Sequence, residues 1–453
     1  MRLCAAASVA FVAAFTIFVG AASGGSPRAD ELLPDLRAVA PYDVRAGGDG
    51  ERFVIGFGST SQNVGEAELK MRGSRASSAS LTMSADQLVA LKNGKERVYS
   101  GAGTFGYITE ETHRHWHWLG FMRYELRRPA DLSLVNPDVK SGFCVADRQL
   151  VQGYNLPADF PDPTWCEQDN PAATELVVGM SVGWGDPYEA LIEGQEIEVT
   201  GVPAGTYYVV HSVNPKRLLR ESDYTNNLSA ALVQLSWPDG RNSRPQARLL
   251  VSCGQTGTNR KDLLVDRDDT DDALCGLRGN DTLRLLGSRG ETALGGPGND
   301  RFTGSINGSV LDGGSGTDTA DYTKLTIPIT TDLKARRTSG GLDEDRLRSI
   351  ENVRGGSRDD VLRGDRKANV LSGGRGHDIV SGRRGKDTVR GGLGRDTLDG
   401  GRGRDRLFGG PGNDSIMSRD GTQDTVACGA GYDTVTADRV DRVAADCENV
   451  LLA

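Results

Sequence analysis

Three of the five histidines of this chain are His113, His115 and His117, in the run Thr112-His-Arg-His-Trp-His-Trp118. On a β-strand alternate side chains share a face, and neighbours on that face stand about 7 Å apart. H-x-H-x-H on a strand therefore aims three imidazoles at one place. Neutral imidazole is a common ligand of copper, zinc, iron and nickel. Three nitrogens leave a position open for water or substrate, as a catalytic metal needs. The plainer reading is a strand with incidental histidines. Arg114, Trp116 and Trp118 fall on the opposite face, where the two tryptophans are expected to pack.

A second chemistry-bearing pattern lies near the C-terminus. From Gly373 the chain runs in strict nine-residue units, GGRGHDIVS, GRRGKDTVR, GGLGRDTLD, GGRGRDRLF and GGPGNDSIM, starting at 373, 382, 391, 400 and 409. Looser units start at 355 and 364, and others at 276, 295 and 313. The pattern is similar to the G-G-x-G-x-D-x-U-x repeat of RTX-type calcium-binding parallel β-helices. Glycines permit the turn and bring carbonyls inward. The aspartate at position six adds a carboxylate, and calcium takes six to eight such oxygens. One turn cannot complete that shell, so ions are expected between stacked turns. The expected ligands are Asp378, Asp387, Asp396, Asp405 and Asp414. Val380, Val389, Leu398, Leu407 and Ile416 should line a thin interior. The unit at 382 lacks its second glycine, and that at 364 lacks the motif aspartate, so sites there are in doubt. Residues 322–354 read as an irregular insertion, and Asp433–Leu452 as a cap over the last turn.

The elements that position these residues divide the 453-residue chain in two. Residues 1–25 read as a secretory signal: Arg2, the apolar run Leu3–Val19, then small residues. The expected protein is secreted and extracellular, with no membrane span. Without Cys4 six cysteines remain, in three locally close pairs. In an oxidising compartment local disulfides are the default, although fifteen pairings are formally possible. The net charge of −9 and the scattered arginines exclude a nucleic-acid partner. Residues 30–237 carry short β-rich runs bounded by Gly and Pro and show no long helical period, which predicts a compact antiparallel, sandwich-like β domain. Residues 238–252 read as a linker, and 253–453 as a parallel β-roll. The expected fold class is thus mostly β.

Several separated motifs in 30–237 resemble lysyl oxidases, in that family's order. They are His113-Arg-His-Trp-His117 with Arg123-Tyr-Glu-Leu126, Val139-Lys-Ser-Gly-Phe-Cys-Val-Ala-Asp147, Gly179-Met-Ser-Val-Gly-Trp-Gly-Asp-Pro-Tyr188, Pro203-Ala-Gly-Thr-Tyr-Tyr208, Val213-Asn-Pro215 and Glu221-Ser-Asp-Tyr-Thr-Asn-Asn227. Leu33-Pro-Asp-Leu36 resembles the opening of the catalytic domain. The resemblance implies His113, His115 and His117 as copper ligands, and Lys140 and Tyr188 as precursors of a self-derived lysyl tyrosylquinone. It implies a Cys144–Cys166 disulfide and a calcium site from Asp35, the Leu36 carbonyl, Glu221, Asp223, Asn226 and Asn227. The implied activity is oxidative deamination of a primary amine, peptidyl lysine or a small amine, with O2 as acceptor. Products would be an aldehyde, hydrogen peroxide and ammonia. Asp186 is a candidate general base. The sequence departs from the animal enzymes in lacking most of their disulfides and in an expanded loop around Gln152–Pro171. The alternative is a catalytically silent, calcium-dependent adhesin or matrix protein in contact with a cell surface or matrix.

Overall fold

The computed structural model describes residues 27–109, 114–138, 142–160, 166–191, 195–240, 243–265, 273–286, 290–304, 306–341 and 343–452. The expected signal segment, His113 and Lys140 lie outside them. Every regular helix or strand among the described residues is a β-strand. Among them, no helix is long and apolar enough to cross a membrane.

The first part is built from three antiparallel sheets. One joins Leu69–Ser74, Thr82–Leu91, Glu96–Tyr107 and Trp116–Leu119, with Glu175–Met180 along its other edge. A second is centred on Phe53–Asn63, which pairs with Leu36–Gly48 on one side and with Trp184–Tyr188 and Glu196–Glu198 on the other. The third places Gly205–Val213 between Met122–Arg127 and Leu228–Ser236. Strand Phe53–Asn63 is buried on both faces, so its residues do not alternate between apolar and polar. Its polar members, Ser59, Thr60, Ser61 and Asn63, are buried among Ile55, Phe57, Leu36, Tyr124 and Trp116. Such groups must find partners, and Asn63 donates to the carbonyls of Ala67 and Met180 at 2.9 Å each.

The stretch expected as a linker differs from that expectation. From Gln246 the chain forms the strand Gln246–Thr256, antiparallel to Leu228–Ser236 on one side. Its other side pairs in parallel with Ala273–Cys275. One sheet therefore runs from the first part into the second.

Beyond that strand the pairing is mostly parallel, and the coil is 18 or 19 residues, about two nonapeptides. Val380 pairs with Leu398 and Leu398 with Ile416 in one wall. In the facing wall Leu371 pairs with Val389 and Val389 with Leu407. The apolar position of each unit is fully buried, from Leu371 through Leu407. Its neighbours in the three-residue strands face outward, as the two-residue period of a strand requires.

Two features of this roll differ from the sequence reading. Within 322–354, Thr330–Asp332, Arg337–Ser339 and Asp345–Arg348 are regular strands that form an antiparallel excursion within one wall. Asn352–Arg354 then restores the parallel stack between Thr319–Asp321 and Val370–Arg375. The chain's end continues the stack instead of folding over it. Thr434–Ala437 and Asn449–Leu452 pair in parallel, because Asp441 and Glu448 take up the backbone N–H groups of Asp424 and Asp433 as the motif aspartates do.

Candidate active site

His117 lies in the edge strand Trp116–Leu119, which pairs with Glu96–Tyr107, and His115 immediately precedes that strand. Trp116 and Trp118 point the other way into the core, both fully or almost fully buried. The imidazoles of His115 and His117 are also buried, 7% and 5% exposed. Their Nε2 atoms lie 2.8 Å apart. Two nitrogens bound at about 2.0–2.1 Å to one ion, at a right angle, lie roughly 2.9 Å apart. The pair therefore fits adjacent positions on a single metal. Among the described residues no set of three His, Cys, Asp or Glu side chains forms a metal site; His113, the third member of the expected set, is outside them.

A disulfide braces this strand. Cys144–Cys166 is formed, as are Cys253–Cys275 and Cys428–Cys447. The Trp116 N–H donates to the Cys166 carbonyl at 3.0 Å, and the Trp118 N–H to that of Phe143 at 2.8 Å. Gly142 packs on His117 so closely that a Cβ there would meet the Cβ of His117 at 2.9 Å. Lys140 precedes Gly142 by two residues and is outside the described residues.

Tyr188 comes to the same segment from another sheet, at the end of Trp184–Tyr188. Its hydroxyl lies 3.0 Å from both the Cys144 carbonyl and Asp186 Oδ2. Phe143 packs edge-on to its ring, centroids 5.2 Å apart. Arg148 lies over that ring and binds Asp186 Oδ1 at 2.7 Å. Burial, and after it the Asp186 charge, push the Tyr188 phenol well above its usual value. Asp186 is thus close to Tyr188, and Arg148 compensates its charge. Arg148, Phe143 and the pairing of the partly exposed Arg148 with the fully buried Asp186 were not read from the sequence. Asp147 was also missed: it accepts from Ser181 N–H and Oγ and from Phe160 N–H at 2.6–3.0 Å, which pins the expanded loop against the turn before Trp184.

Several residues expected at the loop site are hydrogen-bonded to one another. Glu221 accepts from Leu36 N–H at 3.1 Å and from the Asn214 and Asn227 amides at 2.6 and 2.7 Å. Burial pushes its carboxyl up to about 8. Asp35 accepts from Asn226 at 2.8 Å; burial, and more weakly the charge of Asp223, raise its pKa. Leu36 enters the cluster through its N–H. The Asn226 and Asn227 side-chain oxygens are buried without a hydrogen-bond partner. Unsatisfied buried oxygens beside carboxylates suit a hard cation.

The repeat turns repeat one arrangement. In each, Oδ1 of the motif aspartate accepts the N–H of the aspartate one coil earlier: Asp378 from Asp360, Asp396 from Asp378, Asp387 from Asn369 and Asp405 from Asp387, all at 2.8 Å. Oδ2 of Asp378, Asp387, Asp396, Asp405 and Asp414 is buried and has no partner. It faces the first glycine of its own unit. A Cβ on Gly382 would stand 2.5 Å from both Asp387 Oδ2 and the Gly400 carbonyl. A cradle of a bare carboxylate oxygen and a carbonyl, kept open by glycine, fits calcium. Burial raises Asp378 and Asp387 to about 7.

Comparison with known proteins agrees with this geometry. Residues 89–239 match the family model for lysyl oxidase, and residues 354–389 and 382–416 match that for the RTX calcium-binding nonapeptide repeat. The chain carries a lysyl oxidase-like region and, beyond it, RTX-type repeats. It is 33% identical over 117 residues to the protein-lysine 6-oxidase of Sus scrofa, covering 26% of this chain and 42% of that protein. The Homo sapiens protein-lysine 6-oxidase is 34% identical over 117 residues, 26% of this chain and 25% of its own length. Lysyl oxidase homolog 2 of Xenopus tropicalis is 30% identical over 144 residues, 30% of this chain and 16% of its length. The matches span less than half the length of each of these relatives.

Proposed function

We propose that the chain is a secreted amine oxidase of lysyl oxidase type carrying a calcium-shaped β-roll. One observation carries the reading. His117, paired with His115, and the buried Tyr188 phenol both contact a single braced segment, Gly142–Cys144, which begins two residues after Lys140. His113, His115 and His117 would hold copper, and Lys140 with Tyr188 would form the lysyl tyrosylquinone. Copper and quinone would supply the redox chemistry by which a primary amine, O2 and water become an aldehyde, ammonia and hydrogen peroxide.

The remaining roles fall to the chain's own side chains. The Cys144 carbonyl and Asp186 fix the direction of the Tyr188 hydroxyl. With its pKa raised, Tyr188 keeps its proton at neutral pH until an acceptor takes it, and Asp186 Oδ2 is placed to do so. Arg148 holds Asp186 in position, and Phe143 covers an edge of the ring against water. Asp35, Leu36, Glu221, Asp223, Asn226 and Asn227 would bind one calcium close to the strand Gly205–Val213. Asp378, Asp387, Asp396, Asp405 and Asp414 would bind others in the roll.

The test is copper loading of the full mature chain in air. Quinone staining should appear, and peroxide release should be measured across peptidyl lysine, free diamines and cell-wall amines. Absence of both staining and peroxide after loading would instead favour the silent adhesin.

A further inference from the structure

The motif carboxylates of the roll do not form one unbroken series. Towards its start, Asp281, Asp300 and Asp318 repeat the arrangement described above, outside the residues matched as RTX repeats. The Asp281 N–H donates to Asp300 Oδ1 at 2.8 Å, and the Asp300 N–H to Asp318 Oδ1 at 2.7 Å. All three side chains are at most 1% exposed, and each Oδ2 lacks a partner. A Cβ on Gly276 would stand 2.5 Å from Asp281 Oδ2 and 2.6 Å from the Gly295 carbonyl. The cradle is that of Gly382 and Asp387.

Between this set and the next, every equivalent oxygen is closed by a protein donor. Glu351 stands in for the motif aspartate. It accepts the Asp318 N–H through Oε2 at 3.1 Å and the Lys367 ammonium through Oε1 at 2.7 Å. Asn369 stands at the next position, its amide donating to the Glu351 carbonyl at 2.9 Å and its oxygen accepting the Asp365 N–H at 2.9 Å. In the facing wall, Asp345 Oδ2 accepts the Tyr322 hydroxyl at 3.3 Å, and Asp360 Oδ2 the Gly356 N–H at 2.6 Å. Arg383, in place of a motif glycine, donates to the Gly364 carbonyl at 2.9 Å and clasps Asp332 with both terminal nitrogens at 2.7–2.8 Å.

We infer that the roll binds calcium in two separate blocks. Asp281, Asp300 and Asp318 form the first, next to the amine oxidase-like part. The second begins at Asp378. Between them lies a metal-free rung in which Lys367 and Arg383 supply the positive charge. With Lys367 on Glu351, Arg383 on Asp332 and the Gly364 carbonyl, and neutral donors on Asp345 and Asp360, these positions offer no bare carboxylate oxygen to a divalent ion. The inference rests on the calcium reading of the repeats. It adds a site that the matched repeats do not include, and a boundary between the two.

Hydrogen-exchange mass spectrometry of the full chain, titrated from metal-free buffer with calcium chloride, tests it. In the wild type, protection should rise in peptides from 276–318 and from 378–433, while 343–369 gains none. Asp300→Asn should abolish the rise in the first block and spare the second; Asp396→Asn should do the reverse. Unchanged protection of the strand Phe53–Asn63 verifies that each variant is folded. Either variant abolishing both rises would overturn the boundary. An unchanged first block in Asp300→Asn would remove the new site. A wild type without any calcium-induced protection would overturn the calcium reading itself, and this inference with it.

Discussion

Tyr188, Asp186 and Arg148 form a small unit in which each residue depends on the next. Tyr188→Phe should leave copper binding by the histidines intact and abolish quinone staining, with peroxide release falling to background. Staining that survives would remove Tyr188 from the proposal. His115→Ala should lose bound copper and staining together. Arg148→Met would leave the buried Asp186 carboxylate with the Tyr188 hydroxyl but without the Arg148 charge, and the cost should approach the ~3–5 kcal/mol of breaking a buried pair; a lowered denaturation midpoint measures it. His211 provides a pH test away from the site. It is fully buried, with Nδ1 3.1 Å from the Val39 carbonyl, and burial lowers it to about 4. Unfolded chain takes up a proton near pH 6.5 that the fold refuses until about 4. Stability should therefore fall as pH drops through that window, by up to roughly 3 kcal/mol for the full shift. Chemical denaturation at pH 7 and 4.5 should show this, with the fall reduced in His211→Phe. At this scale the sequence revealed the residues with a strong local pattern. The histidine spacing and the segment ending at Tyr188 were legible. Arg148 and Phe143 were not, because their partners are 38 and 45 positions away and nothing local marks the contact.

The coil is the natural element of the roll, and its chemistry inverts the usual carboxylate behaviour. Burial raises Asp281, Asp318, Asp378 and Asp387 to about 7, so without metal the folded coils hold protons that the unfolded chain has released. Between about pH 4 and 7 the unfolded state binds fewer protons, so stability falls as pH rises. Metal-free protein should thus unfold at a lower temperature at pH 8 than at pH 5, and calcium should close that gap. Thermal circular dichroism at both pH values checks this; a metal-free roll equally stable at both would contradict the buried bare carboxylates. Leu398→Ala, in a position that is fully buried, should cost about 2–5 kcal/mol, read from the same melts. The nine-residue spacing made the coil, its aspartates and its apolar strip legible. The break at 322–354 was legible too, but its antiparallel strands were not, because Glu351, Tyr322 and Lys367 do there with different side chains what the motif does elsewhere. The ending was misread for the same reason, since Glu448 replaces an aspartate.

At the scale of the whole molecule, the strand Gln246–Thr256 carries an antiparallel partner on one side and a parallel one on the other. Its start was read as a linker because Pro238, Gly240 and Pro245 dominate the stretch before it, while its pairing partners are remote in sequence. Cys253 lies on this strand and Cys275 on its parallel neighbour. A chain cut after residue 256 would leave the parallel-facing edge bare, and open edges recruit other chains. Such a fragment should self-associate in sedimentation experiments where the full chain stays monodisperse; a monodisperse fragment would show that the roll does not protect that edge. Because the seam is a continued sheet, the roll is held at a fixed angle to the part that bears Tyr188. The ten strands of its uninterrupted wall among the described residues, at about 4.8 Å per coil, make a rod roughly 43 Å long. Each further pair of nonapeptides would lengthen it by one step without touching the seam. The roll is therefore a ruler: whatever its far end holds is kept a set distance from the part that bears Tyr188, and that distance is written in the number of repeats.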